Sequence, residues 1–240
     1  MNLRLFPTIL LFCILVSIPS FSQEKQPGFI ARYINKLVSD TSDISQPQFL
    51  IYLVLSYAKE TSLEMGLISL YLYYPKRDTI NRLSQVSGYT FYTLEKQYGI
   101  VIDHAIYTDK EKWAALGKIR FQYFPLKYYG IGMETGSTEL ATVNANLFLI
   151  KEQLLRQLKK NLFAELKVDL QTLASVEFIP KGTDPLVKPL GNEGSTNFGL
   201  GGGIIYDNRH NAMNARKGVY SEVSFLRYDD AWGSDYSFSS

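Results

Sequence analysis

The sequence predicts an all-β protein, an antiparallel transmembrane β-barrel to which this chain contributes the front nine to ten strands. Three observations support this prediction. From residue 48 onward, alternating stretches of roughly ten residues are separated by polar turns, and a tilted strand needs about that length to cross a bilayer. The chain contains 17 Tyr and 14 Phe, which suits a surface that is apolar in its middle and wet at its rims. The beginning of the chain has the pattern of an export signal.

Residues 1–22 have the layout of a signal peptide, with Arg4 as the positive start and an apolar core too short for a stable membrane span. A small-x-small cleavage site ends at Ser22. We therefore expect export, cleavage near Ser22 and an outer-membrane location, and the alternative is a retained membrane anchor. Residues 23–47 would follow as a short periplasmic segment, and residues 48–240 would form the outer-membrane β-barrel domain.

The composition excludes several classes of function. The chain is 46% apolar with a mean hydropathy of −0.07, which excludes a disordered chain and helical membrane spans after the signal peptide. Its net charge of +2 argues against nucleic acid as a partner. His104 and His210 lie far apart and no Gly-x-Ser-x-Gly motif occurs. We therefore predict no enzyme activity, no cofactor and no metal site, and we expect His104 to lie in the lumen or at its rim.

Apolar or alternating stretches between polar turns predict strands at residues 48–58, 62–74, 82–94, 97–107, 116–124 and 162–170, and the alternation is clearest in the last two. In the fifth, Ile119 and Phe121 share one face while Lys118 and Arg120 share the other. In a soluble sandwich the apolar face would be the core, whereas in a membrane barrel it would meet lipid and the charged face would line the lumen. The alternation leaves both options open. Strand length, aromatic content and the signal peptide favour the barrel.

Residues 146–160 carry a conflicting signal. Leu147, Ile150, Leu154 and Leu158 fall at helical spacing, so an amphipathic helix is an alternative here. We predict a strand that extends to about residue 157, because a short polar turn then leads into the clear alternation that begins at residue 162. An isolated helix beside an open sheet edge would also be unstable in a membrane.

Residues 197–228 predict a hairpin with a polar turn. Its first strand carries glycines that would let it bend or let another segment approach its backbone: Gly199, Gly201, Gly202 and Gly203. Asp207 and Arg209 then open the turn, where we expect a stabilising ion pair or a carboxylate cap, and Gly218 begins the next strand. A last strand is predicted to begin near Ser234.

This hairpin resembles the barrel of the bacterial surface antigen (BamA/TamA-like) superfamily, in which a Gly-rich strand ends in Asp-x-Arg-Asp-Asn and a Pro-x-x-Gly turn opens the next strand. The matching residues of this structural motif are Asp207, Arg209, Asn211 and Gly218, whereas His210 and Ala215 stand where the family has Asp and Pro. The resemblance implies a sixteen-stranded outer-membrane barrel, of which we expect this chain to be the front portion. It also implies a role in the insertion or translocation of proteins or lipids.

The resemblance implies outer-membrane lipid and the barrel-assembly machinery as partners, together with unidentified client proteins or lipids. Residues 23–47 are too few for the periplasmic domains that grip client chains in the family, and the family's later Arg-Gly-aromatic motif is absent from the sequence. Two alternatives therefore stay open. One is a simple porin-like or structural outer-membrane barrel, and the other is a secreted soluble β-sandwich that acts as a binding module.

Connection lengths orient the predicted strands. If the first strand starts in the periplasm, the outer connections are residues 59–61, 95–96, 125–145 and 175–197. Both long connections then lie outside, as bacterial barrels require, provided that residues 125–145 form a single loop. The candidate lumen charges, which would tune passage if a pore is open, are Asp103, Glu165, Lys167 and Asp169.

Overall fold

The computed structural model describes residues 43, 45–58, 61–133, 135–182, 186–209 and 217–240. The strands are β1 (Gln48–Ala58), β2 (Ser62–Tyr73), β3 (Ser84–Thr93), β4 (Tyr98–Tyr107), β5 (Trp113–Tyr123), β6 (Leu126–Tyr128), β7 (Ala141–Lys159), β8 (Leu162–Pro180), β9 (Ser195–Asp207), β10 (Tyr220–Tyr228) and β11 (Phe238–Ser239). No α-helix occurs in these ranges. The expected signal peptide and most of residues 23–47 lie outside them.

All the described strands belong to one antiparallel sheet. Its order is β1-β2-β3-β4-β5-β7-β8-β9-β10-β11, and β6 pairs with β7 beside β5. Strands that follow each other in the chain are thus neighbours in space, as in an up-and-down meander. The predicted all-β antiparallel fold is confirmed. Within the described residues the sheet is not closed into a barrel, because β1 and β11 lie at its opposite ends.

Residues 146–159 are extended, so the helical alternative for this segment is wrong. Both β7 and β8 contain 19 residues, and their hairpin continues well past the strands on either side. The pairing of β7 with β8 explains why this segment is extended. Cross-strand pairs stabilise a sheet, and pairs such as Val143 with Phe178 continue beyond a bulge at Asn144 and Asn146.

The expectation that residues 125–145 form a single loop is also wrong. This stretch contains β6 and the first residues of β7. Since β5 and β6 both pair with β7, β6 continues the direction of β5 and the predicted strand directions do not change. The connections at residues 129–140 and 181–194 are shorter than predicted. They are comparable in length with residues 208–219, which connect two strands at their opposite ends. Loop length therefore distinguishes the two edges less clearly than the sequence suggested.

The strands are staggered relative to one another. Directly opposite residues form a continuous row across the sheet, here called the charged row: Leu50, Leu70, Ser87, Asp103, Lys118, Lys151, Asp169, Gly199 and Tyr228. Leu50 is the third residue of β1, whereas Tyr228 is the last residue of β10. The row therefore passes from one edge of the sheet to the other, which is the stagger that tilted strands in a curled sheet require.

One ion pair shows how strongly the sheet curls. Arg82 lies two residues before β3, and Asp207 is the last residue of β9. Five strand spacings separate β3 from β9 in the sheet order, which would be about 24 Å in a flat sheet. Arg82 Nη1 nevertheless lies 2.6 Å from Asp207 Oδ2. The sheet must therefore bend toward the face that carries Asp207.

The glycines of β9 allow β10 to lie unusually close. The Tyr228 ring packs on Gly199, where an added Cβ would lie 2.7 Å from a ring carbon. A Cβ added at Gly201 would overlap the carbonyl oxygen of Phe225, which is backbone and cannot rotate away. Gly201 is thus required by the close approach of two backbones.

We expect Gly201→Ala to lower the free energy of unfolding by about 1–3 kcal/mol, because β10 would have to move away from β9 to admit the methyl group. Denaturant titration followed by tryptophan fluorescence measures this change. Gly182→Ala is the matched control, since no atom of the described residues lies within 4 Å of a Cβ at that position. Equal unfolding midpoints for the two variants would contradict the prediction.

Candidate functional site

The register sorts the side chains onto two faces. We call the face that carries the charged row the polar face, and the opposite face the apolar face. A typical row of the apolar face contains Leu53, Leu67, Thr90, Ile100 and Phe121, which are aligned by direct pairing across β1 to β5. Because side chains alternate along a strand, each strand contributes every second residue to each face.

Burial is the reverse of what a water-soluble sheet shows. On the apolar face large side chains are accessible, with Leu53 at 86% and Val223 at 77% exposure. On the polar face the carboxylate residues Glu165 and Asp169 retain only 7% and 6% exposure. The sheet therefore curls around its charges and turns its aliphatic side chains outward. The alternation in the sequence could not distinguish this arrangement from its opposite.

The charged row contains two ion pairs side by side. Lys118 Nζ lies 3.1 Å from Asp103 Oδ1, and Lys151 Nζ lies 3.3 Å from Asp169 Oδ2. Asp169 also accepts a 2.9 Å hydrogen bond from the Tyr228 hydroxyl, which reaches it across Gly199. The bare backbone at the glycine is what allows this long aromatic side chain to lie flat on the sheet.

A second group of charges lies next to this row. Lys167 Nζ lies 3.5 Å from Glu165 Oε1 and also contacts Glu222 and the Ser224 hydroxyl. The four residues expected in the lumen, Asp103, Glu165, Lys167 and Asp169, thus all lie on the polar face. The predicted glycines divide between the faces, since Gly199, Gly201 and Gly203 belong to the polar face and Gly202 to the apolar face.

The turn after β9 is organised by a carboxylate held between two guanidinium groups. Asp207 accepts hydrogen bonds from Arg209 Nε at 2.9 Å and from Arg82 Nη1 at 2.6 Å. Arg82 Nε also lies 3.0 Å from Glu111 Oε2. Gly218 has φ +109°, and a Cβ there would meet the Arg209 backbone at 2.6 Å. Asp207, Arg209 and Gly218 therefore act together, whereas Asn211 lies outside the described residues.

Both arginines that bind Asp207 remain charged. Burial lowers the pKa of Arg82, but its hydrogen bond to Asp207 and the charge of Glu111 outweigh that effect, so the pKa is raised above its usual value. The hydrogen bond to Asp207 likewise raises the pKa of Arg209. The Arg209 guanidinium also lies 4.4 Å from the centre of the Tyr220 ring. The geometry is that of a permanent ionic clamp, not of a proton-transfer site.

A small apolar cluster on the polar face separates this turn from the ion pairs above it. Its buried members are Ala114, Leu155, Phe163 and Ile205. A cavity of about 380 Å³ lies beside it and extends toward Arg82 and Asp207. The cluster and the ion pairs of Asp207 with Arg82 and Arg209 together fill the space inside the curled sheet near one end of the strands.

One ion pair stands on the apolar face. His104 Nε2 lies 3.1 Å from Glu152 Oε2, and both residues are in a row with Gly117 and Val86. The Glu152 carboxylate occupies the space that a side chain at Gly117 would fill. The register turns His104 away from the face that carries the four charges expected in the lumen.

Sequence reasoning missed Arg82 and Glu111, the partners that complete the turn. Each comes from a different connection far from Asp207 in the chain, and no spacing pattern marks such a contact. Among the described residues no cluster of three His, Cys, Asp or Glu could hold a metal ion. Also within that part of the chain, no helix is long and apolar enough to cross a membrane.

Comparison of the chain with protein-family models, curated proteins and solved structures finds no match.

We expect Arg82→Gln to lower the free energy of unfolding by about 1.5–3 kcal/mol, because it removes charged hydrogen bonds from the nearly buried Asp207. Denaturant titration of the folded protein measures the change. Lys76→Gln removes the same charge from the exposed pair between Lys76 and Asp109 and should leave stability almost unchanged. If both substitutions had equal effects, Arg82 would not be holding the curled sheet together.

Proposed function

We propose that this protein is an outer-membrane protein that crosses the bilayer as part of an antiparallel β-barrel. In this proposal the apolar face meets lipid and the polar face borders a water-filled interior. The observation that carries the proposal is the reversed burial, with exposed aliphatic side chains on one face and covered charges on the other. In water such a face would be costly to expose, since large contiguous apolar patches are uncommon on soluble proteins.

Three further features support the assignment. Apart from the short β6 and β11, the strands are long enough to cross a hydrocarbon layer. Their stagger fits the tilt of barrel strands. The described strands also form one sheet, so no second sheet in that part of the chain covers the apolar face, as a soluble sandwich would require. Unpaired sheet edges are costly in lipid, so we propose that both edges of the sheet are paired when the protein is in the membrane.

We further propose a role of the surface antigen type, in the insertion or translocation of proteins or lipids. The support is the resemblance of the turn, in which Asp207, Arg209 and Gly218 act together. The second candidate is a porin-like barrel for small solutes, and the ionic side chains of the polar face favour it. Conductance in planar bilayers without any effect on other barrels would support the porin-like function. Defective assembly of other outer-membrane proteins after deletion would support the first.

Cell fractionation combined with heat-modifiable gel mobility tests the location and the fold together. We expect the mature protein in the outer-membrane fraction, where it should be extracted by detergent and should migrate differently before and after boiling. Recovery as a water-soluble monomer would contradict the proposal.

A paired substitution tests which face meets lipid. We expect Leu53→Arg to destabilise the inserted protein by about 2–4 kcal/mol, the range for a charge on the lipid side of a barrel. Refolding titrations in lipid vesicles measure this cost. Ile80→Arg is the matched control, because Ile80 is also exposed, at 90%, but lies in a connection between strands. If Leu53→Arg were as harmless as the control, the apolar face would be in water.

A further inference from the structure

We propose that the middle of the polar face binds an oxyanion, meaning a phosphate or carboxylate group of a water-soluble molecule. Arg120 is its principal ligand, and Lys118 and Lys151 contribute positive charge. This inference goes beyond the proposed function, because it concerns the occupant of the polar face and does not require an open pore or a bilayer.

Arg120 is the basic side chain that the polar face leaves without a partner. By contrast, three lysines of this face each have a side-chain nitrogen within 4 Å of a carboxylate: Lys118, Lys151 and Lys167. No carboxylate lies within that distance of Arg120 in the described residues. The register explains why, since its directly opposite neighbours are Val101 on β4 and Leu149 on β7. Neither can accept a hydrogen bond from the guanidinium.

The Arg120 guanidinium is also partly removed from water. Its Nε is buried and has no acceptor in the described part of the chain. A guanidinium keeps its positive charge in proteins, so loss of a proton does not relieve this cost. A buried charged donor without an acceptor is unfavourable, and a bound anion would offset that cost. The planar fork of Arg suits two oxygens of one phosphate or carboxylate group.

Two lysines add positive charge at the same place. Lys118 lies two residues from Arg120 on β5, so both point to the polar face. Lys118 is directly opposite Lys151 on β7, although like charges in opposite positions destabilise a sheet. Asp103 lies directly opposite Lys118 and Asp169 directly opposite Lys151, so the charges of these four neighbours run acid, base, base, acid. The centre of the row is therefore positive, with Arg120 beside it uncompensated.

The test is titration of the full mature chain with inorganic phosphate in neutral detergent, with ionic strength held constant by sodium chloride. Arginine Nε–Hε correlations in NMR report the ligand directly, and calorimetry gives the affinity of each variant. We expect one arginine Nε signal to shift saturably and to be absent in Arg120→Gln. That variant should bind phosphate at least about ten-fold more weakly, a loss of about 1.4 kcal/mol.

Two further variants make the result specific. Arg120→Lys keeps the charge but loses the fork, so its affinity should fall between those of the native protein and Arg120→Gln. Lys127→Gln removes one positive charge from β6, where the side chain is exposed, and should bind like the native protein. Acetate in place of phosphate shows whether a carboxylate is also accepted.

The inference is overturned if the native protein shows no saturable shift, or if Arg120→Gln binds phosphate as tightly as Lys127→Gln. If Arg120→Gln does not fold, unchanged affinity in Arg120→Lys contradicts the inference equally. The outcome is separate from that of the proposed function. A water-soluble protein would overturn the membrane assignment, and the same titration could then be run without detergent.

Discussion

The constraint on which the structure depends is the register between neighbouring strands. Side chains alternate with a period of two, so a slip of one residue at any pair would move charges to the apolar face and aliphatic side chains to the polar face. From β1 to β10 the pairing aligns Asp103, Lys118, Lys151 and Asp169 in one row. The irregularities in the β7–β8 ladder occur at residues 144–146 and 157–159, outside this row. The separation of the two faces is therefore uninterrupted where the charges lie.

The curl of the sheet depends on contacts between strands that are not neighbours. Neighbouring strands can be paired equally well in a flat sheet, so hydrogen bonding alone does not bring β3 close to β9. Arg82 links them by binding both Asp207, at the end of β9, and Glu111, in the connection between β4 and β5. The apolar cluster around Phe163 and Ile205 then fills the space that the curl creates. The turn motif that the sequence revealed is thus one part of a larger ionic clamp.

Local features of the fold were predictable from the sequence, whereas relations between distant strands were not. The bounds of β1 follow from a continuous apolar run between polar turns, and they agree with the structure. The helical spacing in β7 was misleading, because pairing with β5 and β8 outweighs a local pattern. The expectation for His104 conflicted with that for Asp103, because adjacent residues of one strand point to opposite faces. The contact between Arg82 and Asp207 depends on curvature, which no sequence spacing encodes.

Because the strands are staggered, the charged row slopes across the polar face in one direction. Since the charged row climbs from the start of β1 to the end of β10, its ionic groups lie along a ramp and not in a ring. A molecule that keeps contact with successive charges must therefore rotate as it advances. In an enclosed interior these groups would lie at different depths. A molecule that enters from one side would therefore meet them in the opposite order from a molecule that enters from the other side.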